Sequence, residues 1–167
     1  MPNLWFVRPG DPNETSAAWA IAVERRDGPI GLALTRQKLP TLAGTAERAW
    51  QGVRRGGYVL VDPAGADGSR DSGSGADALD LILIATGSEL HLAFGAAERL
   101  AGEGIRARVV SLPCWELFGS QDAAYRESVL PRVVRRRLSI EAGASLGWER
   151  WVGDEGAILA IDRFGAS

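Results

Sequence analysis

Few residues in this chain have the type and spacing to do chemistry. The decapeptide Gly31-Leu32-Ala33-Leu34-Thr35-Arg36-Gln37-Lys38-Leu39-Pro40 takes an apolar run straight into a guanidinium, an amide and an ammonium. Two readings are open from chemistry alone: an anion site at the end of a strand, with Arg36 as ligand, or a solvated cationic loop. The Gly143-Ala144-Ser145-Leu146-Gly147 run spells the G-x-S-x-G of a hydrolase nucleophile elbow. That chemistry needs a histidine base later in the chain, and the single histidine, His91, precedes it. His91 has no Cys or second His nearby, so a metal role is not supported. Gly73-Ser74-Gly75-Ala76-Asp77-Ala78 imitates a dinucleotide fingerprint but precedes a strand instead of following one. Thr86-Gly87-Ser88-Glu89 could open an anion-binding helix terminus, but Ser88 reads more simply as an N-cap.

The elements that must position these groups follow from apolar period and punctuation. Leu4 to Val7 predicts a strand. Asp11 as N-cap, Pro12 at the first helical position and Glu14 closing a capping box predict a helix to about Glu24. Ile30 to Leu34 predicts a buried strand, and ligands of open α/β sheets gather beyond the carboxyl ends of such strands, where Thr35 and Arg36 fall. Tyr58 to Val61 predicts a third strand. Residues 62–78, DPAGADGSRDSGSGADA, hold almost nothing to bury and predict a linker. Beyond it, Asp80 to Thr86 predicts a strand buried on both faces, followed by a helix through Leu90, Phe94, Ala97 and Leu100. Strands at Arg108–Ser111, Leu138–Ala142 and Ala157–Ile161, with a helix from Asp122 to Leu130, complete the pattern. The fold class is α/β, a three-layer Rossmann-like domain with a largely parallel sheet, preceded by a partial α/β domain. Three strands and one helix in the first 61 residues bury little surface by themselves.

Composition limits the function classes. The 167 residues are 46% apolar and 24% charged, with a formal charge of −2 and no basic footprint for nucleic acid. Arg132, Arg135, Arg136 and Arg137 form the one cationic concentration and read as a solvated rim beside a strand. One cysteine, Cys114, suits a reducing cytoplasm. No apolar run approaches the roughly 18 residues of a membrane span. Six tryptophans exceed what a small core needs and point to an interface.

In order along the chain, PNLWFVRPGDPNET, ERRDGP, LTRQKLP, RGGYVL, LILIATGSELHLA, EGIRARVVSLPCWELF, QDAAYRESVLP, EAGASLGWERWVGDEGA and DRFGAS resemble the C-terminal third of transketolases. The resemblance implies homodimeric enzymes that move a two-carbon ketol unit from a ketose phosphate to an aldose phosphate, using thiamine diphosphate and a divalent cation (magnesium or calcium). It implies that residues 1–61 are the C-terminal half of the pyrimidine-binding domain, 62–78 a linker, and 79–167 the C-terminal domain, truncated at its end. It implies that Arg36, in the matching TRQ segment, contacts the phosphate of the sugar substrate. The family's Gly-Asp-Gly metal and diphosphate motif is absent, Gly153-Asp154-Glu155-Gly156 lacking the required spacing. The cofactor-activating glutamate and the substrate histidines are expected upstream of Met1. Glu149 stands where many relatives carry histidine, and Cys114 where serine is common. No catalytic, cofactor-binding or metal residue is therefore expected in these 167 residues, and the chain alone is expected to be inactive. The competing reading is a non-catalytic α/β module that binds a partner or an anion.

Overall fold

Burial on alternate sides of one central strand organises the molecule. In the computed structural model, which describes residues 3–63 and 79–163, strand β4 (Leu81–Ala85) sends Leu83 and Ala85 into one core and Ile82 and Ile84 into another. That is the period of two expected of a strand covered on both faces. Around it the chain runs β1 (Trp5–Val7), α1 (Pro12–Glu24), β2 (Ile30–Leu32), α2 (Thr45–Arg54), β3 (Tyr58–Val61), β4, a 3-10 turn (Gly87–Glu89), α3 (Leu90–Gly102), β5 (Ala107–Ser111), α4 (Trp115–Ser120), α5 (Ala123–Val129), β6 (Arg137–Ile140), α6 (Glu149–Val152) and β7 (Ala157–Leu159).

Five strands form the main sheet in the order β3-β5-β4-β6-β7, parallel except for β3, which runs antiparallel to β5. β1 and β2 form a separate two-stranded parallel ribbon. The mixed α/β class with a largely parallel, three-layered sheet is as the sequence predicts. Among the described residues no helix is long and apolar enough to cross a membrane.

Several local expectations need correction. The first 61 residues contain a second helix, α2, whose buried positions are Thr45, Ala49, Gly52 and Val53. With it, α1 and α2 join α3 over one face of the sheet in a single continuous core. β2 is shorter than predicted and half-buried, because only β1 covers one of its edges. β3 lies before the proposed linker yet pairs with β5, so a cut at residue 61 would pass beside a strand of the same sheet. Of the linker itself, 64–78 lies outside the described residues, as does the Gly73-Ser74-Gly75-Ala76 run.

The helix starts divide. Asp11 caps α1 as predicted, its carboxylate accepting from Glu14 N at 2.9 Å. The Glu14 side chain does not close a capping box. It is fully buried and accepts instead from Gly10 N (2.7 Å), Tyr58 Oη (2.8 Å) and Ser111 Oγ (2.5 Å), linking α1 to β3 and β5. Ser88 is not an N-cap either: its hydroxyl donates to Glu89, and α3 starts without a side-chain cap. Gly56 shows why the crossing from α2 into β3 needs glycine. Its φ is +81°, and a Cβ there would lie 2.3 Å from Phe118 N and 2.4 Å from the Cys114 carbonyl.

Candidate functional site

Arg36 lies in the loop that leaves the carboxyl end of β2, and it is exposed. The loop is held at both ends. Ala33 N donates to the Val7 carbonyl at 2.9 Å, and Leu42 N donates to Asp11 Oδ2 at 3.1 Å. Thr45 Oγ1 donates to the same Asp11 oxygen at 2.6 Å and accepts from Asn13 Nδ2 at 2.9 Å. Asp11 is thus nearly inaccessible and serves both the start of α1 and the end of the Arg36 loop. Within the loop, Gln37 N donates to Thr35 Oγ1 at 3.1 Å, a turn that orients the Thr-Arg-Gln segment.

Beside this loop is an open cavity of about 450 Å³, bounded by Thr35 and Gln37 on one side and by Asp11, Pro12, Thr15 and Ser16 of the α1 start on the other. Hydroxyls, an amide and a helix N-terminus border it, with the Arg36 guanidinium adjacent in sequence. Among the described residues Arg36 enters no ion pair. The hydroxyls and amide suit a hydroxyl-rich ligand, while the Asp11 carboxylate at the α1 start already takes the Glu14 N–H.

A second polar assembly lies at the carboxyl ends of β1, β4 and β6, and sequence reasoning missed it. Arg8, just beyond β1, forms a close ion pair with Glu141 and lies 3.9 Å from Glu89. Glu141 also accepts from Gly143 N (2.6 Å) and Trp148 Nε1 (3.3 Å). The Arg8 carbonyl accepts from Thr86 Oγ1 and Gly87 N, each at 3.0 Å. Thr86 and Gly87 thus contact the protein's own backbone, and the anion-site reading of that segment has no support. The one available signal was an arginine directly after an apolar strand, in Phe6-Val7-Arg8-Pro9.

The remaining candidates are placed plainly. Ser145 is in the loop between β6 and α6, its N–H bound to Asp162 Oδ1 at 2.8 Å, while His91 sits on α3 with its ring on the Ser88 carbonyl. Cys114 is buried, which pushes its thiol pKa up to about 12. Of the rim arginines, Arg135 pairs with Asp154 and Glu155, as a solvated rim would, but Arg137 is half-buried and turned inward onto carbonyl groups. Trp148 and Trp151 are core residues, Trp5 and Trp115 are partly buried, and Trp19 and Trp50 are about half exposed.

The residues present do not fit a diphosphate–metal centre. Asp154 is tied to Arg135, and among the described residues no three His, Cys, Asp or Glu side chains group closely enough to hold a cation.

Comparison with known proteins places the chain. The model for the transketolase-like TK C-terminal domain matches residues 56–167, beginning just ahead of β3, where the main sheet begins. The transketolase of Geobacillus stearothermophilus is 56% identical over 167 residues, all of this chain and 23% of that protein. The solved transketolase from Leishmania mexicana superposes with a TM-score of 0.83 at 42% identity, over 100% of this chain and 22% of the other. A Pichia stipitis transketolase solved with sedoheptulose-7-phosphate gives a TM-score of 0.81 at 40% identity, covering 99% and 22%. The chain therefore spans under a quarter of the length of each of these three relatives, and over that span it belongs to the transketolase family.

Proposed function

We propose that this chain is the C-terminal portion of a transketolase, acting in two-carbon ketol transfer between sugar phosphates together with the domains that the longer relatives possess. The observation that carries the reading is alignment of all 167 residues at 56% identity with the transketolase of Geobacillus stearothermophilus. In the complete enzyme proposed for this chain, thiamine diphosphate and a divalent cation would supply the carbanion chemistry, held by residues outside these 167, and the assembly would be a homodimer. The boundary between the pyrimidine-binding and C-terminal portions is better drawn near residue 56 than at 61, since β3 is hydrogen-bonded into the main sheet.

Within the chain, Arg36 is the residue that meets the substrate, binding the phosphate at the end remote from the bond being broken. A planar guanidinium offers paired donors that match phosphate oxygens. The loop that carries it is fixed at both ends, which limits the ordering cost of binding. That a Pichia stipitis relative was solved with a sugar phosphate supports the substrate class.

A chimera tests this: this chain replaces the corresponding 167 residues of the Geobacillus stearothermophilus enzyme. Arg36→Ala in that chimera should raise KM for phosphorylated donors, costing about 1.5–3 kcal/mol in kcat/KM. Hydroxypyruvate, which has no phosphate, should be much less affected. Equal losses with both donors would make Arg36 structural. A correctly folded chimera without ketol transfer would sink the larger reading.

A further inference from the structure

Against α5 and α6, on the face of the sheet opposite α1 and α3, is a cavity of about 160 Å³ bordered by Arg126, Arg132, Arg137, Arg150, Glu127 and Trp151, among others. Four guanidinium groups meet one carboxylate there. Elsewhere in the fold six arginines, Arg8, Arg25, Arg54, Arg106, Arg108 and Arg135, each pair with at least one Asp or Glu.

The four differ in how firmly they are held. Arg137 is fixed, its guanidinium donating to the carbonyls of Val134 (3.0 Å), Trp151 (2.8 Å), Leu130 (3.1 Å) and Pro131 (2.9 Å). Its charge is partly desolvated with no carboxylate hydrogen-bonded to it, and burial lowers its pKa. Arg150 lies over the Trp151 ring at 4.6 Å and enters no ion pair among the described residues. Arg126 makes one long contact, 3.4 Å to the Gly119 carbonyl. Arg132 meets Glu127 at 3.7 Å, and Glu127 is also held by the Arg132 N–H at 2.8 Å.

Like charges gathered around one crevice repel, and a bound anion removes that repulsion while using donors that are otherwise idle. The crevice has room for about five water volumes at about 30 Å³ each, enough to seat one or two phosphate groups. We propose that this cavity binds a compact phosphate-type polyanion, gripped by Arg126 and Arg150 and backed by the fixed charge of Arg137. Nothing in this inference depends on ketol transfer, and none of its residues borders the cavity beside Arg36.

Calorimetric titration of the 167-residue chain with inorganic pyrophosphate at constant ionic strength tests it, with citrate as a second polyanion. The wild-type chain should show saturable one-site binding. Arg126→Ala/Arg150→Ala, confirmed folded by thermal melting, should bind about tenfold or more weakly. Arg126→Lys/Arg150→Lys should lose less, keeping charge but not the planar fork. Arg135→Ala, which removes a rim charge outside the cavity, should bind as wild type does. No saturable binding would overturn the proposal, as would an unchanged affinity in the double alanine variant. Loss of binding in Arg36→Ala alone would move the anion to the other loop, and citrate binding as tightly as pyrophosphate would remove the phosphate assignment.

Discussion

Asp11 uses two carboxylate oxygens to hold three donors: Glu14 N, Leu42 N and the Thr45 hydroxyl. Asp11→Ala removes the α1 cap and leaves the buried Leu42 N–H unmatched, while the Thr45 hydroxyl keeps the Leu42 carbonyl as acceptor, so stability should fall by about 2–4 kcal/mol. Urea unfolding measures this, and a loss below about 1 kcal/mol would mean that water replaces the carboxylate. Cys114 gives a second check at this scale. With its thiol pushed up to about 12, it should resist alkylation at pH 8 in the native chain and react at the ordinary rate in urea. Sequence made Asp11 visible as a cap through the Asp-Pro-Asn-Glu pattern. Its bonds to residues 42 and 45 were not visible, because those partners are brought in by tertiary structure. Arg36 was legible because an apolar run ends in cations. Arg126 and Arg150 were not, because their convergence crosses 24 positions of chain.

At the scale of elements, α1, α3 and the short α5 were legible in the sequence and the small-residue α2 was not. In α2 the inward face is Thr45, Ala49, Gly52 and Val53, too small to stand out as an apolar stripe. Packing explains that composition: a Cβ on Gly52 would fall 2.2 Å from the Tyr58 ring, so helix and strand meet at bare backbone. The buried Glu14 joining α1 to β3 and β5 makes this junction pH-sensitive. Burial raises the Glu14 pKa above 4.5, and the Asp11 charge adds to the rise; hydrogen bonds from Ser111, Gly10 and Tyr58 oppose it. Tyr58 itself is shifted upward, chiefly by desolvation, and stays a donor throughout. A raised carboxyl pKa favours the fold below the unfolded value, and that stability is lost as pH rises through the folded one. Stability should therefore increase as pH falls from 7 toward 4.5, and Glu14→Gln should flatten that increase. Below that range the trend should reverse, because the Asp80 carboxyl, held down to about 2 chiefly by its hydrogen bonds from Arg106, loses its bonded form. A wild-type stability profile flat from pH 7 to 5 would contradict this account of Glu14.

For the molecule as a whole, one core spans the two segments. Val7, Ala17, Ala49 and Tyr58 pack with Leu83, Val109 and Ala97. The sequence suggested two units because residues 62–78 look like a boundary, and composition cannot show that strands on either side share a sheet. A chain beginning at residue 79 would lack β3 and leave one face of β4 and β5 without α1 and α2. That truncation should bind a hydrophobic dye and lose cooperative unfolding, whereas the full chain should melt in one transition. Two separate transitions in the full chain would show that the segments fold independently.

The ends of the stretch between β3 and β4 are clamped. Asp62 receives two bonds from Arg108, at 2.6 and 3.0 Å, and Asp80 receives two from the Arg106 side chain, at 3.1 and 3.0 Å. Arg106 and Arg108 both belong to the β5 region, so the two ends of that stretch are tied to the same part of the sheet. Closing a loop between fixed ends costs entropy only logarithmically in its length, about 0.6 kcal/mol for each doubling. The segment between the clamps can therefore differ widely in length between related genes at little cost in stability. In a laboratory chain it is the natural place to open new termini or to insert a reporter domain.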